Sequence, residues 1–544
     1  MGLLDSFMGK KIKTNLRVDE GVFVRNLKGS YPFIASIETV EEYPIHELYA
    51  QVKILKGSKL GEGYHYFVNE TPLTVRESVA FRKIMEILNK EVEAPEKEEV
   101  SFDEYIYKRA ESVAIKYHRS LGKFTERSWK KIFYYVVREL AGYGPLHVMF
   151  QDPNIEDISH NGLNSPVYVW HSKYESIPTN VTFIDEQTAN NFIVKLAHRS
   201  DKHISSAQPM LDAMLPEKHR LAATFMKEVS TKGSTFCIRK FRADPFSVID
   251  LIKRRTLNEQ IAAYFWLLLE HKMSFMIIGG TGAGKTSMLS ALLGLMSQND
   301  KIVTIEETPE LNPPLDNWTQ LNTRQSFQFS SGATASITLF DLVKISLRYR
   351  PDYIIVGEVR GDEAYVLFQA LATGHGGLCT MHADSLENVV NRLTSPPMNV
   401  SKVYIPLMSS VVYIQRVELP QNREGISFGR RIRTVWEIEE FEKYKELVTW
   451  NPRDDTFSTS FQDSVHLKRI ATKSGMSEEE ILKELEARVS FLKEMVENNV
   501  RNHRDIAQNV LSYYDKKKAE KNDVKTSTVQ MVNNATTVIA ESKG

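Results

Sequence analysis

Phe275-Met276-Ile277-Ile278-Gly279-Gly280-Thr281-Gly282-Ala283-Gly284-Lys285-Thr286-Ser287 is the stretch that decides how this chain folds. Four apolar residues suited to a buried strand run into a glycine-rich turn, and a helical pattern begins at Lys285. Gly279 to Thr286 fits G-x-x-x-x-G-K-[ST] in the context that gives the pattern meaning, a strand before it and a helix after it. Glycines let backbone N–H groups converge on phosphate oxygens that side chains would keep away, and the helix start adds the positive end of its dipole. The reading assigns Gly279, Gly280, Thr281, Gly282, Ala283, Gly284, Lys285, Thr286 and Ser287 to ATP binding. Lys285 is expected to reach the β- and γ-phosphates and the Thr286 hydroxyl to ligate Mg2+.

Outward from this turn, apolar β-type runs alternate with helical segments over 256–440. Lys301-Ile302-Val303-Thr304-Ile305 precedes a helix near Leu339 to Arg348; Tyr353-Ile354-Ile355-Val356 precedes one from Asp362 to Ala372. Strands this apolar are buried on both faces, which indicates a parallel sheet and an α/β fold. The second of these strands ends in Gly357-Glu358, a carboxylate in order beyond the phosphate loop and placed to act on Mg2+. Glu306, Glu307 and Glu310 follow the intervening strand as candidates for the base that polarises the attacking water; position alone does not choose among them.

Before this region, 101–243 reads as an α/β domain. It has a helical pattern from Phe102 to Leu140, strands at Val167–Trp170 and Thr235–Ile238, and a helix near Thr188 to His198. Residues 1–100 form a variable N-terminal region with a strand at Gln51–Leu55 and a helix near Val75 to Leu88, closed by a charged, proline-broken stretch from Glu91 to Glu99. Asp244-Pro245 opens a linker expected over 244–255. Residues 441–514 read as a helical C-terminal extension, in which Ser477 and Glu480 make a capping box and Ile481, Leu482, Leu485 and Val489 a packing face, and 515–544 as a disordered tail.

Lys+Arg and Asp+Glu balance at 69 each, so no generally basic surface for nucleic acid is expected. No run approaches the ~18 apolar residues that span a bilayer. The first residues lack a secretory pattern; Gly2 and Ser6 fit an N-myristoylation pattern short enough to arise by chance, beside a short apolar and lysine-bearing stretch. Two cysteines, Cys237 and Cys379, exclude a four-cysteine zinc site and a disulfide framework.

Three further stretches carry a family resemblance. Leu347-Arg348-Tyr349-Arg350-Pro351-Asp352 running into Val356-Gly357-Glu358-Val359-Arg360-Gly361 resembles the Walker B region of the type II/IV secretion ATPase superfamily. Thr373-Gly374-His375-Gly376-Gly377-Leu378-Cys379-Thr380-Met381-His382-Ala383 resembles its His box, and Thr304-Ile305-Glu306-Glu307-Thr308-Pro309-Glu310-Leu311 its Asp box in the archaeal form. The resemblance covers about 110–440 and implies a RecA-like P-loop ATPase core behind an N-terminal α/β domain, six copies forming a ring. It implies Glu306 as the catalytic glutamate, Glu358 as the Walker B acid, and His375 and His382 as residues that sense the phosphate state. Arg220 and Arg239 match the N-domain arginines directed at the γ-phosphate, where a guanidinium stabilises transition-state charge. Glu217-Lys218-His219 stands where the family usually has Pro-Asp-Gly, and Glu307 where it usually has Asp.

The expected activity is Mg-dependent ATP hydrolysis by a cytoplasmic homo-hexamer. It would sit peripherally at the inner face of the cell membrane, through a polytopic platform protein of a pilus or archaellum machine, with no nucleic-acid partner. A DNA-translocating secretion ATPase and a nucleotide-gated assembly scaffold are the alternatives.

Overall fold

The computed structural model describes residues 17–19, 22–24, 37–57, 63–91, 101–241, 245–324, 336–419 and 428–518. The myristoylation pattern, the stretch 92–99, Asp244 and the tail from 519 lie outside the described residues. The chain divides into two compact units, Met1–Arg242 and Ala243–Gly544.

In the first unit, nine strands run side by side in one sheet. Their order is Ile37–His46, Ala50–Gly57, Gly63–Glu70, Glu175–Phe183, Pro166–His171, Ile155–His160, Thr235–Arg239, Arg220–Thr224 and Met210–Met214; Arg17–Asp19 and Val22–Val24 pair off this path. The described strands before residue 92 therefore belong to the same sheet as the later ones. The Asn180 amide accepts from Val68 N at 2.8 Å and donates to Val68 O at 2.9 Å. The Tyr43 and Tyr66 hydroxyls both donate to the buried Asp152 carboxylate, at 2.7 and 2.8 Å. Buried polar groups satisfied in this way hold the early hairpin onto the later strands. The helical pattern from Phe102 to Leu140 resolves into Phe102–Lys116, the short His118–Leu121 and Glu126–Leu140. Gly122, at φ +100°, ends the short helix, and Thr125 begins the last one by accepting from Ser128 N.

The second unit is built on a nine-stranded sheet. Its order is Trp318–Asn322, Ile302–Glu306, Tyr353–Val356, Gly376–Met381, Ser274–Ile278, Met408–Glu418, Phe428–Glu440, Lys443–Asn451 and Thr456–Thr459. Every pairing up to Met408–Glu418 is parallel and the remaining three are antiparallel. The parallel strands Ile302–Glu306, Tyr353–Val356 and Ser274–Ile278 are buried at every position, as strands covered by helices on both faces must be. The order is that of a RecA-like core extended by an antiparallel meander.

Two expected boundaries shift. The segment 244–255 is not a bare linker: Ser247 and Asp250 form a capping box opening the helix Val248–Lys253, whose Val248 and Ile249 are wholly buried in the main core. The region from 441 begins with two strands, not helices: Lys443–Asn451 pairs with Phe428–Glu440 on one side and with the edge strand Thr456–Thr459 on the other, and buries Leu447, Val448 and Trp450. Helices follow at Val465–Ser474, Glu478–Glu497 and 503–518, so the helical part reaches beyond residue 514. Ile481 and Leu485 are buried, and Leu482 and Val489 pack against the same core.

Candidate nucleotide site

The phosphate loop lies at the C-terminal end of the strand Ser274–Ile278, and the helix Lys285–Leu293 follows it. Gly284 caps that helix at φ +93°, in the left-handed region that a side chain resists. Met288, Leu289, Ala291, Leu292 and Leu293 are buried, so hydrophobic packing fixes the helix and with it the position of its first turn.

Lys285 is only 8% exposed. Its Nζ donates to the carbonyls of Gly279 at 3.0 Å and Gly280 at 2.9 Å and lies 3.3 Å from His382 Nδ1. Burial holds its pKa below the usual lysine value, against the pull of the nearby Glu358 carboxylate. An ammonium held by two loop carbonyls sits where incoming phosphate would replace weak acceptors with charged ones.

Glu358 follows the strand Tyr353–Val356 across Gly357. Its Oε2 accepts from Arg360 Nη2 at 2.5 Å, and its Oε1 lies 3.2 Å from His382 Nε2 without accepting a hydrogen bond. A buried carboxylate oxygen with no hydrogen-bond partner beside a phosphate loop fits a divalent cation, which takes oxygen ligands of this kind. Burial and the Lys285 charge keep the His382 pKa below its ordinary value. Among the described residues no cluster of three or more His, Cys, Asp or Glu forms a metal site on its own.

Glu306 ends the strand Ile302–Glu306 and is 2% exposed. Its Oε1 accepts from the backbone N–H groups of Glu310 at 2.9 Å and Leu311 at 3.0 Å, while Oε2 receives only a long contact of 3.4 Å from Gln320. Burial raises its pKa to about 7, the backbone donors opposing. Glu307 and Glu310 are exposed. Gly357 makes room for this arrangement: a Cβ there would meet Glu306 Cγ at 3.0 Å.

The two histidines part company. His382 joins Lys285 and Glu358, whereas His375 precedes the strand Gly376–Met381, at the end opposite to His382. Six residues of strand put them about 20 Å apart. His375 Nδ1 is instead engaged with Thr373 Oγ1 at 3.0 Å and Ala370 O at 3.2 Å. The structure thus gathers Lys285, Glu358 and His382 and does not bring His375 to them.

In the first unit, Arg220 and Arg239 are direct cross-strand partners, Arg239 exposed and Arg220 half-buried. Arg220 Nη2 pairs with Asp212 at 2.9 Å and Arg239 Nε with Asp157 at 3.3 Å. The unusual turn before Arg220 closes without Pro-Asp-Gly. Lys218 takes the left-handed conformation at φ +64°, with Leu215 N bonded to His219 O at 2.8 Å. Glu217 is held by Tyr143 and by Arg199 at 2.9 Å, and His219 Nδ1 accepts from Phe241 N at 2.9 Å.

Sequence reasoning gave no role to Arg360 or Arg392. Arg360 bridges Glu358 and, at 3.4 Å, Glu307, and Arg392 donates to the His382 carbonyl. With Gly279, Gly280, Thr281 and His382, both line a cavity of 620 Å³. Nothing in the local sequence separates these arginines from surface ones.

A phosphate loop in a parallel sheet of this order, with acids after two further strands of the same sheet, defines a RecA-like P-loop core. The chain belongs to the type II/IV secretion system protein family, whose family model matches residues 141–544. It is 35% identical over 406 residues to the uncharacterized protein MJ0900 of Methanocaldococcus jannaschii, covering 72% of this chain and 71% of that one. It is 29% identical over 252 residues to the conjugal transfer protein TrbB of Rhizobium radiobacter, covering 45% of this chain and 73% of that one. Among solved structures it is similar to the VirB11 ATPase of the Brucella suis type IV secretion system, with 22% identity over 53% of this chain and 90% of that one and a TM-score of 0.26. It is also similar to the Legionella pneumophila ATPase DotB, with 14% identity over 67% and 93% of the two chains and a TM-score of 0.40. No described helix is long and apolar enough to cross a membrane.

Proposed function

We propose that this chain is a motor that couples ATP hydrolysis to assembly, secretion or rotation of an archaeal type IV pilus-like filament. It works as a homo-hexamer at the cytoplasmic face of the cell membrane, on a polytopic platform protein. The observation that carries hydrolysis is Glu306: a buried carboxylate with a pKa pushed up to about 7, on a strand next to the one that ends in Glu358. Family membership and the Methanocaldococcus jannaschii relative support the motor and the archaeal branch.

In this reading the loop amides and Lys285 bind the triphosphate, and Glu306 takes the proton of the attacking water near neutral pH. His382 relays the phosphate state between Lys285 and Glu358, which it touches on either side. Thr286 and Glu358 would hold Mg2+, which when bound neutralises charge on the β- and γ-phosphate oxygens. Arg220 and Arg239, paired here with Asp212 and Asp157, are assigned to the transferring phosphate, whose transition-state charge a guanidinium stabilises. His375 retains a role through the family motif alone, as a residue coupling the far end of its strand to the site.

The test is steady-state ATP turnover by the purified full chain with Mg2+, alongside Lys285→Ala and Glu306→Gln, and its mass in solution with nucleotide. Loss of turnover in both variants and a six-copy assembly support the proposal; equal turnover in all three proteins would refute the mechanism. The conjugal transfer relatives favour a second reading, a secretion motor of a DNA-transfer machine. Salt-sensitive single-strand binding with DNA-stimulated turnover distinguishes it. The balance of 69 basic and 69 acidic residues speaks against it.

A further inference from the structure

The hairpin that carries Arg220 closes on a turn that its own residues do not favour. Met210–Met214 and Arg220–Thr224 pair antiparallel, with Met214 opposite Arg220. Leu215 N donates to His219 O at 2.8 Å, and Lys218 N to Leu215 O at 2.8 Å. Lys218 completes the turn at φ +64°, a conformation that a side chain resists and that contacts from elsewhere must hold. Much depends on this turn. Side chains alternate along a strand, so a one-residue slip in the hairpin would exchange Arg220 with the buried Leu221 and turn the guanidinium into the core.

Glu217 supplies the hold. One of its carboxylate oxygens accepts from the Tyr143 hydroxyl and the other from Arg199 Nη2 at 2.9 Å. Both donors are fixed. Arg199 ends the helix Glu186–Arg199, and its Nη1 donates to the carbonyls of Ala141 at 2.6 Å and Gly142 at 2.9 Å. Its guanidinium lies 4.3 Å from the Tyr143 ring centroid. Tyr143 stacks on Phe150 with ring centroids 3.6 Å apart, and Phe150 packs 5.5 Å from the His219 ring. This pile returns to the residue before Arg220, since His219 is buried and its Nδ1 accepts from Phe241 N at 2.9 Å. Burial raises the pKa of the Tyr143 hydroxyl and lowers that of His219 to about 4, so at neutral pH the first stays a donor and the second an acceptor.

We infer that Glu217 is a positioning residue for Arg220: gripped between Tyr143 and Arg199, it fixes the left-handed turn at Lys218 and so the register from which the Arg220 guanidinium extends. The Glu217 side chain is 41% exposed, so solvent screens its ion pair with Arg199 and its effect is local to the turn, not a prop of the whole fold. The inference rests on the assignment of Arg220 to the transferring phosphate.

Steady-state ATP turnover by the full chain with Mg2+ tests it through a double-mutant cycle. Glu217→Ala is expected to lower kcat about tenfold and leave KM for ATP unchanged, because a misplaced guanidinium is missed in the transition state. In an Arg220→Ala chain the same substitution has nothing left to misplace and should cause no further loss. Adding Lys218→Gly to Glu217→Ala restores turnover, since glycine takes a positive φ unaided. If Glu217→Ala turns over as the wild type does, costs as much in the Arg220→Ala chain, or is not restored by Lys218→Gly, the anchor is wrong while the assignment of Arg220 stands. An Arg220→Ala chain as active as the wild type overturns that assignment and the anchor with it.

Discussion

Replacing Glu306 with Gln separates what this carboxylate does for chemistry from what it costs the fold. The side chain is 2% exposed, and burial lifts its pKa from 4.5 to about 7. A group whose folded pKa is raised binds its proton more tightly in the native state. Stability is therefore lost as pH climbs from the unfolded value through the folded one. Ionising Glu306 in place costs about 3 kcal/mol above neutral pH, at 1.36 kcal/mol per pKa unit. Glutamine keeps the favourable contacts. Its carbonyl oxygen accepts from Glu310 N and Leu311 N, and the Gln320 amide, which now donates toward Oε2 at 3.4 Å, turns over to accept from the new NH2. The variant should match the wild type in denaturant unfolding near pH 4.5 and exceed it by about 3 kcal/mol near pH 8. ATP turnover should fall by roughly two to four orders of magnitude, the range for a lost general base. A stability difference that does not change with pH would show that Glu306 does not titrate as a buried acid, and the general-base argument would go with it.

Wild-type turnover should itself decline as pH drops below about 7, following protonation of Glu306; a flat profile down to about pH 5 would point to another base. Gly357→Ala places a Cβ 3.0 Å from Glu306 Cγ and should cut turnover about tenfold or more while ADP binding by titration stays intact, since the displaced group acts on water and not on the nucleotide. His382→Ala should lower turnover more than His375→Ala, because only His382 touches Lys285 and Glu358; the reverse order in a steady-state assay would contradict the geometry. Arg488→Ala removes a guanidinium that is 1% exposed, paired with Glu484 at 3.0 Å and with Glu270. Its loss leaves Glu484 with Lys517 alone and Glu270 without this partner, removes the guanidinium packed over Trp266, and should cost about 3 kcal/mol in denaturant unfolding, with Arg488→Lys recovering only part of it.

The phosphate loop was legible because its chemistry is local. Glycines, a lysine and a hydroxyl residue must stand at fixed spacing between a strand and a helix, so one contiguous stretch carries the whole signal. The strands Ser274–Ile278, Ile302–Glu306 and Tyr353–Val356 were legible for a related reason: burial on both faces removes polar residues and leaves unbroken apolar runs. The break after Leu121 carries local signals too, Gly122 at φ +100° and the cap Thr125, which a single helical reading of Phe102 to Leu140 passes over. The strands Lys443–Asn451 and Thr456–Thr459 also escaped, because Leu447 and Val448 are buried in succession and the second strand has only four residues, so neither shows a period of two.

By itself, then, the amino-acid order determined a glycine-rich turn between a strand and a helix, acids after two later strands, and the motifs of a secretion ATPase. The tertiary structure decided which of those groups meet. It separated Glu306 from Glu307 and Glu310 by burial, drew His382 to the loop while leaving His375 at the far end of its strand, and set Arg430 beneath Gly282 across 148 residues of chain. Burial and proximity between distant segments follow from how strands order within a sheet, and that order is a property of the packed whole, not of any stretch of sequence.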